Sequence, residues 1–294
     1  MSSQPSHFYD AGPKGRLALP RFSGCAKMER AGGFKMRIRR CGFGLIGLAT
    51  ALISSGLFGQ EPSGTEIVKK MDELLRGESS YTKMKMTLTN PDWNNPRELT
   101  LYAYELAKDQ KSFIRITDPA RDKGTGFLKV GYNLWLYVPA TEKVTKIPPS
   151  MMHQSWMGSD FTNDDLVKES SIVNDYAHKL LDTISDPVNG KVYQLELIPK
   201  PSAQVVWGKI LVWVRAEGYV PLKQQYFDDQ GRMASEMLFS EIKNLGGRVI
   251  PTVWEMRPAD KPGHQTIIRL LDAQFNQKID PAIFTEKNLK SKNY

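Results

Sequence analysis

The sequence predicts a mainly β (α+β) domain of about ten to eleven mostly antiparallel strands, with an N-terminal helix and a methionine-rich helical insertion. Residues 191–277 alternate apolar and polar side chains in successive runs, each closed by Gly, Asp, Asn or Pro, which is the pattern of an antiparallel meander. The insertion, at residues 150–171, interrupts this alternation. A sheet of that many strands curls strongly or closes on itself.

The first 59 residues are predicted to lie outside this domain. A basic segment, Met36–Arg40, precedes an apolar stretch, Cys41–Phe58, that ends in small residues, which is typical of a secretory signal peptide. We predict cleavage after Gly56 or Gly59. An uncleaved anchor is the alternative, because the stretch is about long enough to span a membrane. The predicted organisation is an upstream extension at 1–35, a signal peptide at 36–59 and the β domain at 60–294, with Met36 as an alternative start of translation.

The charge distribution argues against nucleic acid as a partner. The chain has 40 Lys and Arg against 32 Asp and Glu, but residues 1–59 hold nine of the basic and two of the acidic residues. The remaining 31 basic and 30 acidic residues nearly balance, so the domain has no bulk basic excess for binding phosphates. Both cysteines, Cys25 and Cys41, precede the predicted cleavage site, and the signal peptide predicts export to the periplasm or the outside.

An amphipathic helix begins the domain. Ser63 and Glu66 form a capping-box pattern, apolar residues follow at helical spacing, and Gly77 is a fitting stop. The apolar positions are Ile67, Val68, Met71, Leu74 and Leu75. We expect this face to pack on the sheet.

The next strands are partly apolar on both faces. One face of Tyr81–Asn90 carries Met84, Met86 and Leu88. In Arg97–Leu106, one face carries Leu99, Leu101 and Ala103 and the other Tyr102, Tyr104 and Leu106. Short strands are predicted at Lys111–Thr117, Thr125–Val130, Leu134–Val138 and Lys143–Ile147. Such strands occur in a sheet that is covered on both sides, or in one that encloses a cavity and is also packed outside.

The insertion groups large apolar residues with acidic ones. The apolar residues are Met151, Met152, Trp156, Met157 and Phe161, and the polar ones are Asp160, Asn163, Asp164 and Asp165. We expect a loop with one or two short helices, capped by Thr162 or Asn163, that lies over the sheet. Because methionine adapts to irregular apolar ligands, the group suggests an apolar lid, with core filling as the alternative for each residue singly.

No pattern in the domain points to catalysis or to a cofactor. The domain has no cysteine, and its histidines, His153, His178 and His264, lack metal-ligand spacing. Nucleophile-elbow and phosphate-loop patterns are absent from residues 60–294. The insertion's aspartates are predicted to cap helices or to be solvated, and a metal site with His153 is the alternative. We therefore predict no enzyme activity, no cofactor and no metal.

Four segments in combination resemble a known family. They are Ile67–Leu75, Phe113–Pro119 followed by Lys123–Gly126, Asn133–Pro139, and the M-G-S-D-F-T-N-D-D-L block at Met157–Leu166. Together they resemble the LolA-like superfamily, in particular its outer membrane lipoprotein-sorting protein branch, over roughly residues 63–290. The resemblance implies a half-open antiparallel β-barrel with helices over its opening and a hydrophobic cavity inside.

The resemblance also implies a function. It implies a periplasmic carrier that binds acyl chains of lipoproteins or lipids and delivers them towards the outer membrane, with an inner-membrane exporter and an outer-membrane acceptor as partners. The predicted ligand-binding residues are Met84, Met86, Leu88, Tyr102, Tyr104, Trp135, Tyr137, Met152, Trp156, Met157 and Phe161. In the best-studied carriers an arginine tethers the lid, for which Arg97, Arg115 and Arg121 are candidates. The alternatives are a non-enzymatic scaffold of a cell-envelope export complex, and a hydrolase or metalloprotein that uses His153.

Overall fold

The fold is one antiparallel sheet with three α-helices, as seen in a computed structural model that describes residues 61–168, 172–203 and 205–291. The helices are α1 Gly64–Arg76, α2 Asn163–Lys168 and α3 Glu286–Leu289. The strands are β1 Ser79–Thr89, β2 Arg97–Leu106, β3 Lys111–Asp118, β4 Gly126–Val130, β5 Asn133–Val138, β6 Lys143–Lys146, β7 Tyr176–Asp186, β8 Gly190–Pro199, β9 Lys209–Arg215, β10 Val220–Phe227, β11 Met233–Leu245, β12 Arg248–Pro258 and β13 Gln265–Phe275. The predicted extension and signal peptide lie outside the described residues.

The sheet joins two meanders through the pairing of β1 with β13. The strand order is β6-β5-β4-β3-β2-β1-β13-β12-β11-β10-β9-β8-β7, so that the sheet ends at β6 and β7. The mainly β, antiparallel prediction is confirmed, but the count of ten to eleven strands was too low. The structure has 13 strands because every alternating run, including the four-residue β6, pairs as a strand of its own. So many twisted strands cannot stay flat, which gives the sheet an inner and an outer face.

Helix α1 forms where the capping signals place it. The Ser63 Oγ accepts a hydrogen bond from the Glu66 N–H at 3.2 Å, and Gly77 ends the helix at φ 65°. Ile67, Val68 and Met71 are buried against an apolar cluster of β8 and β9. Burial of each such side chain contributes about 1.5–3 kcal/mol, so packing rather than helix propensity holds α1 on the sheet.

The outer face of β2 to β5 is covered by the end of the chain. Phe284 and Leu289 pack on Phe113, Leu128 and Tyr137. The predicted apolar character of the outer face of these strands is thus explained by the C-terminal segment that packs on it.

The described ranges contain no helix with the length and apolarity needed to cross a bilayer.

Arg115 fixes this C-terminal segment to the sheet. It is 1% exposed, and its guanidinium donates to the Gly124 carbonyl at 2.7 Å and to the Asn288 carbonyl at 2.9 Å. The prediction of Arg115 as a candidate for tethering the lid was therefore wrong. It lies on the outer face with Phe113, because residues two apart in a strand share a face.

Candidate functional site

A cavity of about 240 Å³ lies on the inner face of the sheet. Its wall combines the inner faces of β1 to β4 and β9 to β13 with α1 and with residues 147–168, which we call the crossing segment. The apolar lining includes Met71, Met84, Met86, Ile114, Trp156, Phe161, Met237, Phe239, Trp254, Met256, Ile268 and Leu270. The cavity is therefore mainly apolar and rich in methionine.

Strand register brings the apolar side chains of the wall into continuous rows. Met84 lies between Leu101 of β2 and Leu270 of β13. Met86 lies between Leu99 and Ile268, and the row continues to Trp254 on β12 and Phe239 on β11. Because alternate residues of a strand point to the same face, one correct register places all of them towards the cavity.

The predicted site residues divide between the two faces of the sheet. Met84, Met86, Trp156 and Phe161 line the cavity. Leu88, Met152 and Met157 belong to, or pack on, the adjoining inner core without lining the space. Tyr102, Tyr104, Trp135 and Tyr137 lie in the outer cluster with Phe284 and Leu289, so their prediction as cavity residues was wrong.

The reason for this error is strand parity. In β2 the cavity side carries Leu101 and Ala103, so that the intervening Tyr102 and Tyr104 point outwards. In β5, Leu134 and Leu136 belong to the inner core instead of Trp135 and Tyr137. Both faces of these strands are apolar, so hydrophobicity alone does not say which one is inside.

The half of the wall that comes from β11 to β13 is not among the predicted site residues. Met237 and Phe239, Trp254 and Met256, and Ile268 and Leu270 alternate in these strands and all line the cavity. Their period-two spacing was the signal that would have found them. Trp207 and Tyr226 also line the cavity, and their ring centroids lie 5.4 Å apart.

The crossing segment packs two buried aromatic residues onto the inner face. Trp156 is 2% exposed and its ring lies 5.3 Å from that of Phe127. At the start of α2 the Thr162 Oγ accepts from the Asp165 N–H at 3.1 Å, while the Asp165 carboxylate accepts from the Thr162 N–H at 2.7 Å. This reciprocal pair confirms the predicted cap by Thr162. Residues 169–171 of the predicted insertion lie outside the described residues.

Arg97 at the start of β2 holds the tip of the crossing segment. Its Nη1 donates to the Met157 carbonyl at 2.7 Å, and its Nη2 lies 3.0 Å from the Asp122 carboxylate. Met157 and Gly158 have φ of 54° and 77°, a left-handed turn that is unfavourable for methionine. Among the three candidate arginines, Arg97 therefore contacts the segment, whereas Arg121 is exposed and pairs with Asp122.

We expect Arg97→Met to loosen the crossing segment. The change removes two charge-assisted contacts, each of which contributes about 1.5–3 kcal/mol when partly buried. Hydrogen exchange of the backbone amides of residues 149–161 should speed up about tenfold or more, while exchange in β11 to β13 stays unchanged. Arg121→Met is the matched control, because it removes a partner of the same Asp122 without touching Met157. Equal exchange in the two variants would show that Arg97 does not hold the segment.

The acidic residues of the insertion have structural partners. Burial raises the pKa of the Asp165 carboxyl, and the hydrogen bonds from Thr162 oppose this shift. Asp160 accepts from the Thr266 hydroxyl at 2.7 Å, which ties the segment to β13. The described residues contain no group of three or more His, Cys, Asp or Glu arranged to hold a metal ion, and His153 is exposed.

The overall architecture is that of an antiparallel sheet wrapped around a mainly apolar cavity, which is the architecture of the LolA-like fold. A DUF1329 family protein from Desulfovibrio piger matches with a TM-score of 0.70 at 23% identity, over 77% of this chain and 97% of its own. A putative outer membrane lipoprotein-sorting protein domain from Vibrio parahaemolyticus gives 0.65 at 22% identity, over 78% and 98%. A LolA superfamily protein from Nitrosomonas europaea gives 0.65 at 22% identity, over 78% and 100%.

A match to a protein-family model shows the family of this chain. A family model described as "-like: Uncharacterized protein" matches residues 108–291, more than half of the chain, and the chain belongs to that family. No curated protein matches the chain. The solved structures above confirm the predicted resemblance to the LolA-like superfamily at the level of the fold.

Proposed function

We propose that this protein is a non-enzymatic periplasmic carrier that takes acyl chains of lipids or lipoproteins into the cavity. The observation that supports this most directly is the mainly apolar cavity of about 240 Å³ on the inner face. An engineered apolar cavity of about 150 Å³ already binds benzene. The space is thus large enough for part of a hydrocarbon chain, and the flexible methionines of its wall suit irregular chains.

The energetics favour an apolar occupant. Each methylene group that leaves water for the cavity gains about 0.8 kcal/mol, so a chain of several methylenes contributes several kcal/mol of binding free energy.

The crossing segment is proposed to act as the lid. It supplies Trp156 and Phe161 to the cavity wall. Its tip is held by Arg97, which binds the Met157 carbonyl, and by Asp160, which accepts from Thr266 of β13. Release of these side-chain contacts would free the tip without breaking a strand. In the proposed cycle an inner-membrane exporter loads the cargo, and an outer-membrane acceptor with greater affinity removes it, with no covalent step.

Native mass spectrometry of the protein, purified from a membrane-containing host, tests this function. We expect a population with added mass that lipid extraction resolves into phospholipid or an acylated peptide. Delipidated protein should then take up a fluorescent fatty acid in a one-to-one complex. A bare mass together with no uptake would contradict the carrier function, and a stable stoichiometric protein partner in its place would indicate a scaffold of an envelope complex.

A further inference from the structure

A stripe of polar residues crosses the inner face at one end of the cavity. It consists of Ser80, Glu105, Ser112 and Lys129, which are successive partners in the registers of β1, β2, β3 and β4. All four line the cavity. The stripe is bounded by apolar neighbours, Phe275 beside Ser80 and Leu134 beside Lys129. It is therefore a local feature of one end, not a polar face of the sheet.

The polarity of the wall changes along the strands. Two residues along each strand from the stripe, the next row of side chains across the inner face consists of Thr82, Ala103, Ile114 and Phe127. A further step brings Met84 and Leu101, the start of the methionine-rich part. Along these strands the cavity wall changes from polar at the stripe to apolar in the methionine-rich part, and Asp164, Asp165 and Gln224 add polar side chains elsewhere in the lining.

Helix α1 adds charges to the same end. Arg76 is 8% exposed, forms a close ion pair with Glu105, and lies 3.4 Å from the Asp72 carboxylate. Asp72 also lines the cavity, and burial raises the pKa of its carboxyl. Lys129, which is 5% exposed, provides a second cation. The two cations and the two acids balance formally.

Burying charged side chains at this end of the cavity costs free energy that an apolar core would not cost. Removing an ion from water costs several kcal/mol even when it is paired. The other transverse rows of the inner face in β1 to β4 are filled mostly with apolar side chains. The polar end is thus more readily explained by a ligand that carries charges of its own.

We propose that this end of the cavity is a head-group site, which holds the zwitterionic head of a membrane lipid while its acyl chain lies in the methionine-rich part. The phosphate of such a head meets Lys129 and Arg76, and its amine meets Glu105 and Asp72. A zwitterion keeps the local charge balanced, whereas a net anion or cation leaves one buried charge without compensation. This inference rests on the proposed carrier function and adds the class of cargo.

Competition for a bound fluorescent fatty acid tests the head-group site. The competitors are phosphatidylethanolamine, phosphatidylglycerol and diacylglycerol with identical acyl chains. We expect phosphatidylethanolamine to compete at about tenfold lower concentration than diacylglycerol, since a hydrogen bond to a buried charge is worth about that factor. Lys129→Met should remove this preference, so that phosphatidylethanolamine and diacylglycerol compete at equal concentrations. Lys83→Met, on the exposed side of β1, is the matched control and should keep the preference.

The outcomes separate the head-group site from the carrier function. Equal competition by phosphatidylethanolamine and diacylglycerol, with the fatty acid still bound, would overturn the head-group site alone. A preference for phosphatidylglycerol would overturn the zwitterionic assignment. Failure of every lipid to bind would overturn the carrier function as well. If Lys129→Met does not fold, Ser112→Ala replaces it, and a reduced preference is then the expected result.

Discussion

Ala103→Phe is expected to weaken acyl-chain binding roughly 100-fold while the protein remains folded. Ala103 lies on the inner face of β2, lines the cavity, and pairs with Thr82 and Ile114. A phenyl ring at this position enters the cavity and takes the place of about four methylene groups of a ligand. At about 0.8 kcal/mol per methylene, the affinity should fall by about 3 kcal/mol, or roughly 100-fold.

The measurement is a titration with a fluorescent fatty acid, paired with thermal unfolding. Filling an existing space differs from overpacking a full core, so the unfolding midpoint should fall little or even rise. Thr183→Phe, on exposed β7, adds the same ring away from the cavity and should bind normally. Uptake by Ala103→Phe equal to that of the control would show that ligands bind elsewhere.

Arg115→Met is expected to cost about 3 kcal/mol of folding stability. The substitution keeps much of the apolar stem but leaves the carbonyls of Gly124 and Asn288 without their charged donor. Charge-assisted hydrogen bonds in buried positions contribute about 1.5–3 kcal/mol each. Loss of the contact with Asn288 should also free the C-terminal segment, so that trypsin cleaves after Lys287 before the rest of the chain is digested.

Urea unfolding and limited proteolysis measure these two effects. Arg269→Met is the control, because its ion pair with Glu241 is exposed and such pairs contribute at most about 1 kcal/mol. A loss of under 1 kcal/mol in Arg115→Met, or unchanged proteolysis, would contradict the role of Arg115 as the anchor of this segment. Amide exchange in the crossing segment should stay normal, since Arg97 and not Arg115 contacts it.

Arg97 and Arg115 show how far local sequence reasoning reaches. Both were candidates for holding the lid, and both do bind a backbone carbonyl of a distant segment. Their partners are 60 and 173 residues away in the chain. No local pattern encodes such a pairing, because it depends on where two remote segments meet after folding.

Local sequence patterns predict the class of fold, the boundaries of α1 and nearly all strand positions. These follow from short-range rules, namely capping at Ser63, the stop at Gly77, and period-two alternation interrupted by turn residues. The patterns also indicate the crossing segment, where alternation stops and a helix cap at Thr162 begins. Each of these signals lies within about ten residues of the element it describes.

Which face of each strand lies inside is settled only by long-range packing. The sequence predicts Tyr102 and Tyr104 in the cavity wall, but the C-terminal segment packs over them and Ala103 points inwards. The joining of β1 to β13 likewise sets the second half of the wall, with Met84 beside Leu270. The physical reason is that side-chain alternation defines two faces without ranking them, and only long-range packing buries one of them around the cavity.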